Sequence, residues 1–186
     1  MKVGVIGAGY VGLTLACLAD FNNEVMFVGR SQDKIDSLKR GTIPIYESGL
    51  DEIFVRNLKN NRIDATTDYD KLKEAEIIFL CVGTPSKEDG SIDLSQIESA
   101  STEIGKQLLR YSSYKTIVVK STVVPRTTKE VVLPILERES GKKAGKDFGI
   151  AMNPEFLREG TGVYDFLNPD KIVIGGDKRS IVAVAK

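Results

Sequence analysis

Lys2-Val3-Gly4-Val5-Ile6-Gly7-Ala8-Gly9-Tyr10-Val11-Gly12 stands at the head of the chain, and its reading decides the fold. Lys2–Ile6 has the apolar continuity of a strand covered on both faces. Gly7, Gly9 and Gly12 then fit the spacing G-x-G-x-x-G, and the apolar segment Tyr10–Phe21 behind them has the length of a helix. Strand, glycine turn and helix in that order make the first half of a βαβ unit. There Gly7 permits the tight turn, Gly9 lets the backbone approach a pyrophosphate, and Gly12 allows close helix–strand packing. The helix N-terminus adds free N–H groups and the positive end of its dipole. The bare motif also fits a glycine-rich turn of an unrelated α/β fold, but its setting favours a dinucleotide site contacted by Gly7, Gly9, Tyr10, Val11 and Gly12.

Outward from this unit, short apolar runs alternate with longer amphipathic ones. The pattern predicts strands at Lys2–Ile6, Glu24–Val28, Arg62–Thr66, Glu76–Val82, Lys115–Lys120, Phe148–Met152 and Lys171–Ile174. It predicts helices at Tyr10–Phe21, Gln32–Arg40, Gly49–Asn60, Leu94–Leu109 and Thr127–Glu139. Alternation of this kind means a doubly wound, Rossmann-like α/β fold: a mainly parallel sheet with helices on both faces. Right-handed crossovers then gather the loops after the strands along one sheet edge, where ligands bind. Gly141–Lys146, with its three lysines, reads as a solvated loop.

Composition narrows the chemistry. The 186 residues suit one domain, and 26 Lys+Arg against 26 Asp+Glu give no basic excess for nucleic acid or an anionic membrane. With no histidine, His-based triads and His-ligated zinc are excluded, and no metal site is expected. Cys17 and Cys81 both lie in apolar runs, as buried thiols of a reducing cytoplasm do. No targeting segment is recognisable, and Val11–Ala19 is too short to span a bilayer.

The second half of the dinucleotide fingerprint is missing. An acid is expected at the end of the second strand to hold the ribose diol, but Gly29, Arg30 and Ser31 stand there. Gly29 leaves room for a 2′-phosphate that Arg30 would pair with; equally, Gly29 ends the strand and Arg30 covers the adenine. NAD and NADP both remain open.

Further motifs follow in order: Pro44-Ile45-Tyr46-Glu47-Ser48-Gly49-Leu50, Val82-Gly83-Thr84-Pro85, Asp89–Leu94, Lys120-Ser121-Thr122-Val123-Val124-Pro125, Asn153-Pro154-Glu155-Phe156-Leu157-Arg158-Glu159-Gly160, and Asn168–Gly176. With the glycine turn, they resemble the UDP-glucose/GDP-mannose dehydrogenases along nearly the whole chain. Asn168–Gly176 leans towards the UDP-glucose branch. The resemblance implies oxidation of a sugar C6 alcohol to a carboxylate by two hydride transfers to NAD, through a cysteine-bound thioester. It implies that Thr122 and Glu155 order the water that hydrolyses the thioester, with Glu159 a further catalytic position. Glu155, Phe156, Leu157, Arg158 and Glu159 match the substrate-lining segment, and Val82, Gly83, Thr84, Pro85 and Thr122 the turn near the nicotinamide. The nucleotide sugar, UDP-glucose first, is the implied partner.

Local readings stand beside these. Glu155 and Glu159, four apart, would share one face of a helix as solvated charges, and Asn153-Pro154 predicts a turn or helix start at Glu155. Neither cysteine has a cation partner in the sequence pattern that would lower its pKa. Three departures from the family pattern are Gly29, Ser48 in place of proline, and one extra residue before Pro125. The family's nucleophilic cysteine belongs beyond a long helix whose start resembles Ser180–Lys186. Residues 1–186 therefore read as the cofactor domain of a longer enzyme, inactive alone and possible as a monomer, with the whole enzyme a homodimer or larger. A stand-alone dinucleotide-binding module is the competing expectation.

Overall fold

Residues 1–186 are described by a computed structural model. Its strands are β1 (Lys2–Ile6), β2 (Glu24–Val28), β3 (Ile63–Thr66), β4 (Ile77–Leu80), β5 (Thr116–Val119), β6 (Gly149–Met152) and β7 (Gly175–Gly176). They form one seven-stranded sheet in the order β3-β2-β1-β4-β5-β6-β7. All neighbours are parallel except β6 and β7, where Ala151 pairs with Gly176 and Met152 with Gly175. The first six strands have the 3-2-1-4-5-6 order of dinucleotide-binding sheets, and the order reverses between β1 and β4.

The helices are α1 (Tyr10–Thr14), α2 (Gln32–Lys39), α3 (Leu50–Lys59), α4 (Ser95–Arg110), α5 (Leu133–Ser140), α6 (Gly162–Leu167) and α7 (Lys178–Val184). Alternation along each strand divides the core. Val3, Val5, Phe27 and Phe79 bury against Leu13, Ile35, Leu50 and Phe54 from α1 to α3. Ile6, Ile78, Leu80, Ile117 and Val119 bury on the other face against Ile97 and Ile104 of α4 and Leu136 of α5. Both faces are covered, which is why β4 and β5 are buried at every position and apolar at all but Thr116.

Several elements depart from the sequence expectation. The first helix is α-helical only to Thr14 and continues as a 3₁₀ segment, Leu15–Phe21; the Thr14 hydroxyl donates back to the Val11 carbonyl at 2.9 Å where the winding tightens. The expected helix at Thr127–Glu139 begins as a π-helical turn, Thr128–Val132, before α5. Lys171–Ile174 is not a strand. Ile172 and Val173 are exposed, the Val173 carbonyl accepts from the Asn153 side chain, and sheet pairing starts only at Gly175. A 3₁₀ segment at Tyr69–Glu74 and helix α6, six residues each, are too short to show the long apolar periodicity that marks α3 and α4. α7 starts before Ser180, because the Asp177 carboxylate accepts the N–H groups of Arg179 and Ser180 at 2.9 and 3.0 Å.

Candidate functional site

Two candidate segments lie at the C-terminal edge of the parallel strands. The first is the turn after β1. Gly7 has φ +104°, and a Cβ there would fall 2.5 Å from the Cys81 carbonyl oxygen. A Cβ on Gly12 would fall 2.0 Å from the Gly7 carbonyl oxygen. These two glycines are demanded by the protein's own packing. Gly9 is different: a Cβ on it would meet nothing within 4 Å, and its backbone is ordinary extended geometry. No side chain caps the N-terminus of α1 behind it, so its first N–H groups face a clear approach for an acceptor. Val11 is half-buried on α1. Residues in this arrangement fit the pyrophosphate of a dinucleotide.

Across the switch point, the loops after β4 and β5 are laced together. Thr84 donates from its hydroxyl to the Thr122 carbonyl at 2.7 Å, and Ser121 donates to the Val82 carbonyl at 2.7 Å. Gly83 and Pro85 are exposed, and the open side of Gly83 looks towards the Gln96 side chain, 3.6 Å from a Cβ placed there. Thr122 is exposed and leaves its own hydroxyl free of any protein partner, while its carbonyl is held by Thr84. Thus Val82, Gly83, Thr84, Pro85 and Thr122 come together as one rim beside the glycine turn.

The second segment follows β6. Asn153 is buried; its amide donates to the Val173 carbonyl at 2.9 Å, and its oxygen accepts from the Lys120 ammonium at 3.0 Å. Burial holds the Lys120 ammonium below the usual lysine range, with Cys81 and the Glu155 carboxylate acting in the opposite sense. Lys120 and residues 153–158 line a cleft of about 880 Å³ that α6 and the 168–174 segment close on the other side; the glycine turn lies outside it.

Residues 155–160 form no helix. The Glu155 carboxylate accepts the Leu157 N–H at 2.7 Å, and Gly160 has φ +90°; both geometries divert the backbone from a helical path. Glu155 and Glu159 therefore do not share a helical face: Glu155 is half-buried at the cleft and Glu159 is exposed. Phe156 is exposed with Lys171 over its ring at 4.5 Å, and Leu157 is half-buried. Arg158 is already engaged. Its guanidinium and N–H reach Asp165 in three hydrogen bonds of 2.6 to 3.1 Å, and that guanidinium holds the Asp165 carboxyl well below the usual carboxylate range.

Tyr10, expected at the cofactor, turns its side chain to this second segment. Its hydroxyl donates to the Arg158 carbonyl at 2.6 Å, and burial together with the Glu47 carboxylate raises its pKa. Glu47, 1% exposed, accepts from the N–H groups of Gly160 and Gly162. Glu47, Lys120 and Asn153 were not singled out by sequence reasoning. Each lies in a quoted motif, and a lysine closing an apolar strand was the available signal for Lys120.

Gly29 follows β2 with its N–H donating to the Thr66 carbonyl at 3.1 Å; Arg30 beside it is exposed, and burial raises the Tyr69 pKa while the Arg30 charge opposes the rise. Cys17 and Cys81 are both free and buried, and burial pushes each thiol up to about 12. Cys81 does have a cation neighbour, Lys120, contrary to the sequence reading; desolvation outweighs it. No helix is long and apolar enough to cross a membrane.

Comparison with known proteins agrees with this geometry. The UDP-glucose/GDP-mannose dehydrogenase family, NAD binding domain, matches residues 1–186. The chain is 49% identical over 94% of its length to UDP-glucose 6-dehydrogenase AglM of Haloferax volcanii, covering 41% of that protein. It is 46% identical over 94% of its length to GDP-mannose 6-dehydrogenase of Pseudomonas putida, covering 40% of that protein. A crystal structure of a ternary complex of GDP-mannose dehydrogenase from Pseudomonas aeruginosa superposes with a TM-score of 0.96 at 42% identity, over 99% of this chain and 43% of that one. The chain thus spans about two fifths of the length of these relatives. By its fold, its glycine turn and these likenesses, the chain belongs to the UDP-glucose/GDP-mannose dehydrogenase family, as the NAD-binding domain of such enzymes.

Proposed function

We propose that this chain seats a nicotinamide dinucleotide on the Gly7–Gly12 turn and presents it to a nucleotide sugar lying along residues 155–159, as part of a nucleotide-sugar 6-dehydrogenase. The observation that carries the reading is the adjacency of two segments on one sheet edge: Gly9 open to solvent above an uncapped helix start, and Tyr10 of that turn bonded to the Arg158 carbonyl.

In this reading the backbone N–H groups at the start of α1 bind the pyrophosphate, and Val82, Gly83, Thr84 and Pro85 form the rim against the nicotinamide end. The bound cofactor supplies hydride acceptance at the sugar C6. Thr84 fixes the Thr122 backbone, leaving the Thr122 hydroxyl to orient a water, with Glu155 at the cleft to take a proton from it. Glu159 and the backbone of 156–158 hold the sugar, while Arg158 shapes that segment through Asp165 rather than reaching for substrate itself. The thiol of the thioester step is assigned to residues outside 1–186, since Cys17 and Cys81 are buried and held protonated; the 186 residues alone would bind but not turn over. UDP-glucose is the first candidate sugar nucleotide and GDP-mannose the second, in a cytoplasmic enzyme that works as a homodimer or larger.

NAD is the proposed cofactor. NADP is the second reading, favoured by one observation: Gly29 and exposed Arg30 stand where a ribose-binding acid is absent. Calorimetric titration of the chain with NADH, NADPH, UDP-glucose and GDP-mannose tests the proposal. It predicts dinucleotide binding with a Kd on the order of micromolar or weaker, as for a half-site. No heat from either dinucleotide at millimolar concentration would defeat it.

A further inference from the structure

A carboxylate buried to 1% exposure, distant from the glycine motif in sequence, is the feature of this edge that the proposed chemistry does not use. Glu47 sits in the segment between α2 and α3. One of its oxygens accepts the Gly162 N–H at 3.0 Å and the other the Gly160 N–H at 3.2 Å. Burying a charge is costly unless it is fully paired, and an ionised carboxylate is the side chain that accepts two N–H groups while offering no donor of its own. Glutamine at this place would turn an N–H₂ towards one of the two glycines; an apolar residue would orphan both.

The same pocket holds Tyr10. Its hydroxyl donates to the Arg158 carbonyl at 2.6 Å, and a Cβ on Gly162 would fall 2.4 Å from that hydroxyl oxygen and 3.3 Å from the Glu47 carboxylate. Gly162 is therefore glycine because Tyr10 and Glu47 fill the space beside it. Three loops meet here: the glycine turn through Tyr10, the α2–α3 connection through Glu47, and the 155–160 segment through Arg158 and Gly160, with Gly162 at the start of α6 just behind it. Tyr10 is the first residue of α1, one peptide from the N–H groups that face the proposed pyrophosphate.

We propose that Glu47 is a positioning residue that couples the glycine turn to the 155–160 segment, so that a dinucleotide seated on the turn tightens the segment that takes the sugar nucleotide. The proposal rests on the dinucleotide reading of the turn. Movement of Tyr10 on ligand binding reaches the Arg158 carbonyl directly, and Glu47 holds the far end of the segment so that the displacement is borne by residues 155–160 rather than lost in a slack loop. Coupling of this kind is reciprocal: the sugar nucleotide strengthens dinucleotide binding by the same factor.

Amide hydrogen exchange at Gly160 and Gly162, followed by NMR with and without saturating NADH, tests it. In the wild-type chain NADH is expected to slow exchange at both glycines by about fivefold or more, the lower range of measured couplings between sites. In Glu47→Gln, NADH is expected to bind within about threefold of wild-type affinity with its effect on the two glycines abolished. A purely structural role would raise exchange in the variant by the same factor with and without NADH. NADH binding to wild type with no change at Gly160 and Gly162, or an undiminished effect in Glu47→Gln, overturns the coupling alone. Absence of NADH binding overturns both the coupling and the dinucleotide reading beneath it. Should Glu47→Gln give an unfolded spectrum, Tyr10→Phe removes the Arg158 bond while keeping the ring, and the loss of the NADH effect at both glycines is expected there as well.

Discussion

Replacing Gly9 by alanine separates what the turn does for the fold from what it does for a ligand. Gly9 has φ −96° and ψ −169°, which any L-residue adopts, and its added Cβ would meet no atom within 4 Å. Alanine there gains a few tenths of a kcal/mol from a stiffer unfolded chain and loses about as much as a helix N-cap, so the net change is within about 0.5 kcal/mol. For a chain of this size that moves the Tm by less than about 2 °C. The methyl group, however, stands in the approach to the α1 N-terminus. Displacing a phosphate from one or two N–H groups forfeits about 1.5–3 kcal/mol each, a loss of at least about tenfold in dinucleotide affinity. Gly12→Ala provides the opposite case, since its Cβ would lie 2.0 Å from a backbone oxygen that cannot rotate away. There the expected cost is about 3 kcal/mol or more, with Tm down by roughly 6–12 °C. Scanning calorimetry paired with NADH fluorescence titration reads both quantities. A Gly9→Ala protein with unchanged NADH affinity, or one destabilised as much as Gly12→Ala, would refute the assignment of Gly9 to ligand approach.

Gly29→Asp is expected to shift the NAD/NADP affinity ratio towards NAD by about 1–3 kcal/mol, roughly 5- to 150-fold, as the new carboxylate accepts from a ribose diol. Its Cβ would lie 3.3 Å from Ile35 Cδ1, a side-chain end that can give way, so the fold should persist; an unchanged ratio would remove position 29 from the ribose site. The thiols make a pH prediction. Each has a folded pKa of about 12, above its unfolded value near 8.5. The unfolded chain therefore releases protons first, and stability present below about pH 8.5 is lost as pH rises towards 12. In Cys17→Ala/Cys81→Ala the fall of unfolding free energy with pH across that window should be shallower, by up to about 1.4 kcal/mol per pH unit for each thiol; superimposable profiles would contradict this. Arg158→Ala is expected to return the Asp165 carboxyl towards the ordinary carboxylate range, measured by carbon-detected NMR titration, because that guanidinium is the chief cause of its depression. An unmoved Asp165 would free Arg158 for a direct role with substrate.

Much of the fold was legible because burial on both sheet faces leaves an unambiguous mark. The runs that became β1, β2, β4 and β5 are apolar at nearly every position, and the helices α2, α3 and α4 carry long amphipathic stretches. Legibility failed where a side chain competed for the backbone. Asn153 takes the Val173 carbonyl, so an apolar run with strand composition stays out of the sheet. Glu155 takes the Leu157 N–H, so two acids at helical spacing never share a helix. Such captures depend on residues far apart in sequence or on one local hydrogen bond, and neither leaves a periodicity. The site divides in the same way. Gly7 and Gly12 were readable from spacing, since each answers a local geometric demand, and Gly9 came with them as the open position of the same motif. Glu47 was not, because its purpose arises only when three loops meet. The pairing of Arg158 with Asp165 lay hidden for the same reason, seven residues apart across a turn that only the folded chain closes.

Amide chemical-shift mapping of the chain on titration with NADH tests the central claim most directly. Seating of the dinucleotide on the glycine turn predicts saturable shifts largest at Gly9 to Gly12 and at Gly83 to Thr84, with residues 61–64 and 142–147 on the opposite edge silent. Saturable shifts confined to the 168–174 side of the cleft, or to that opposite edge, would contradict it.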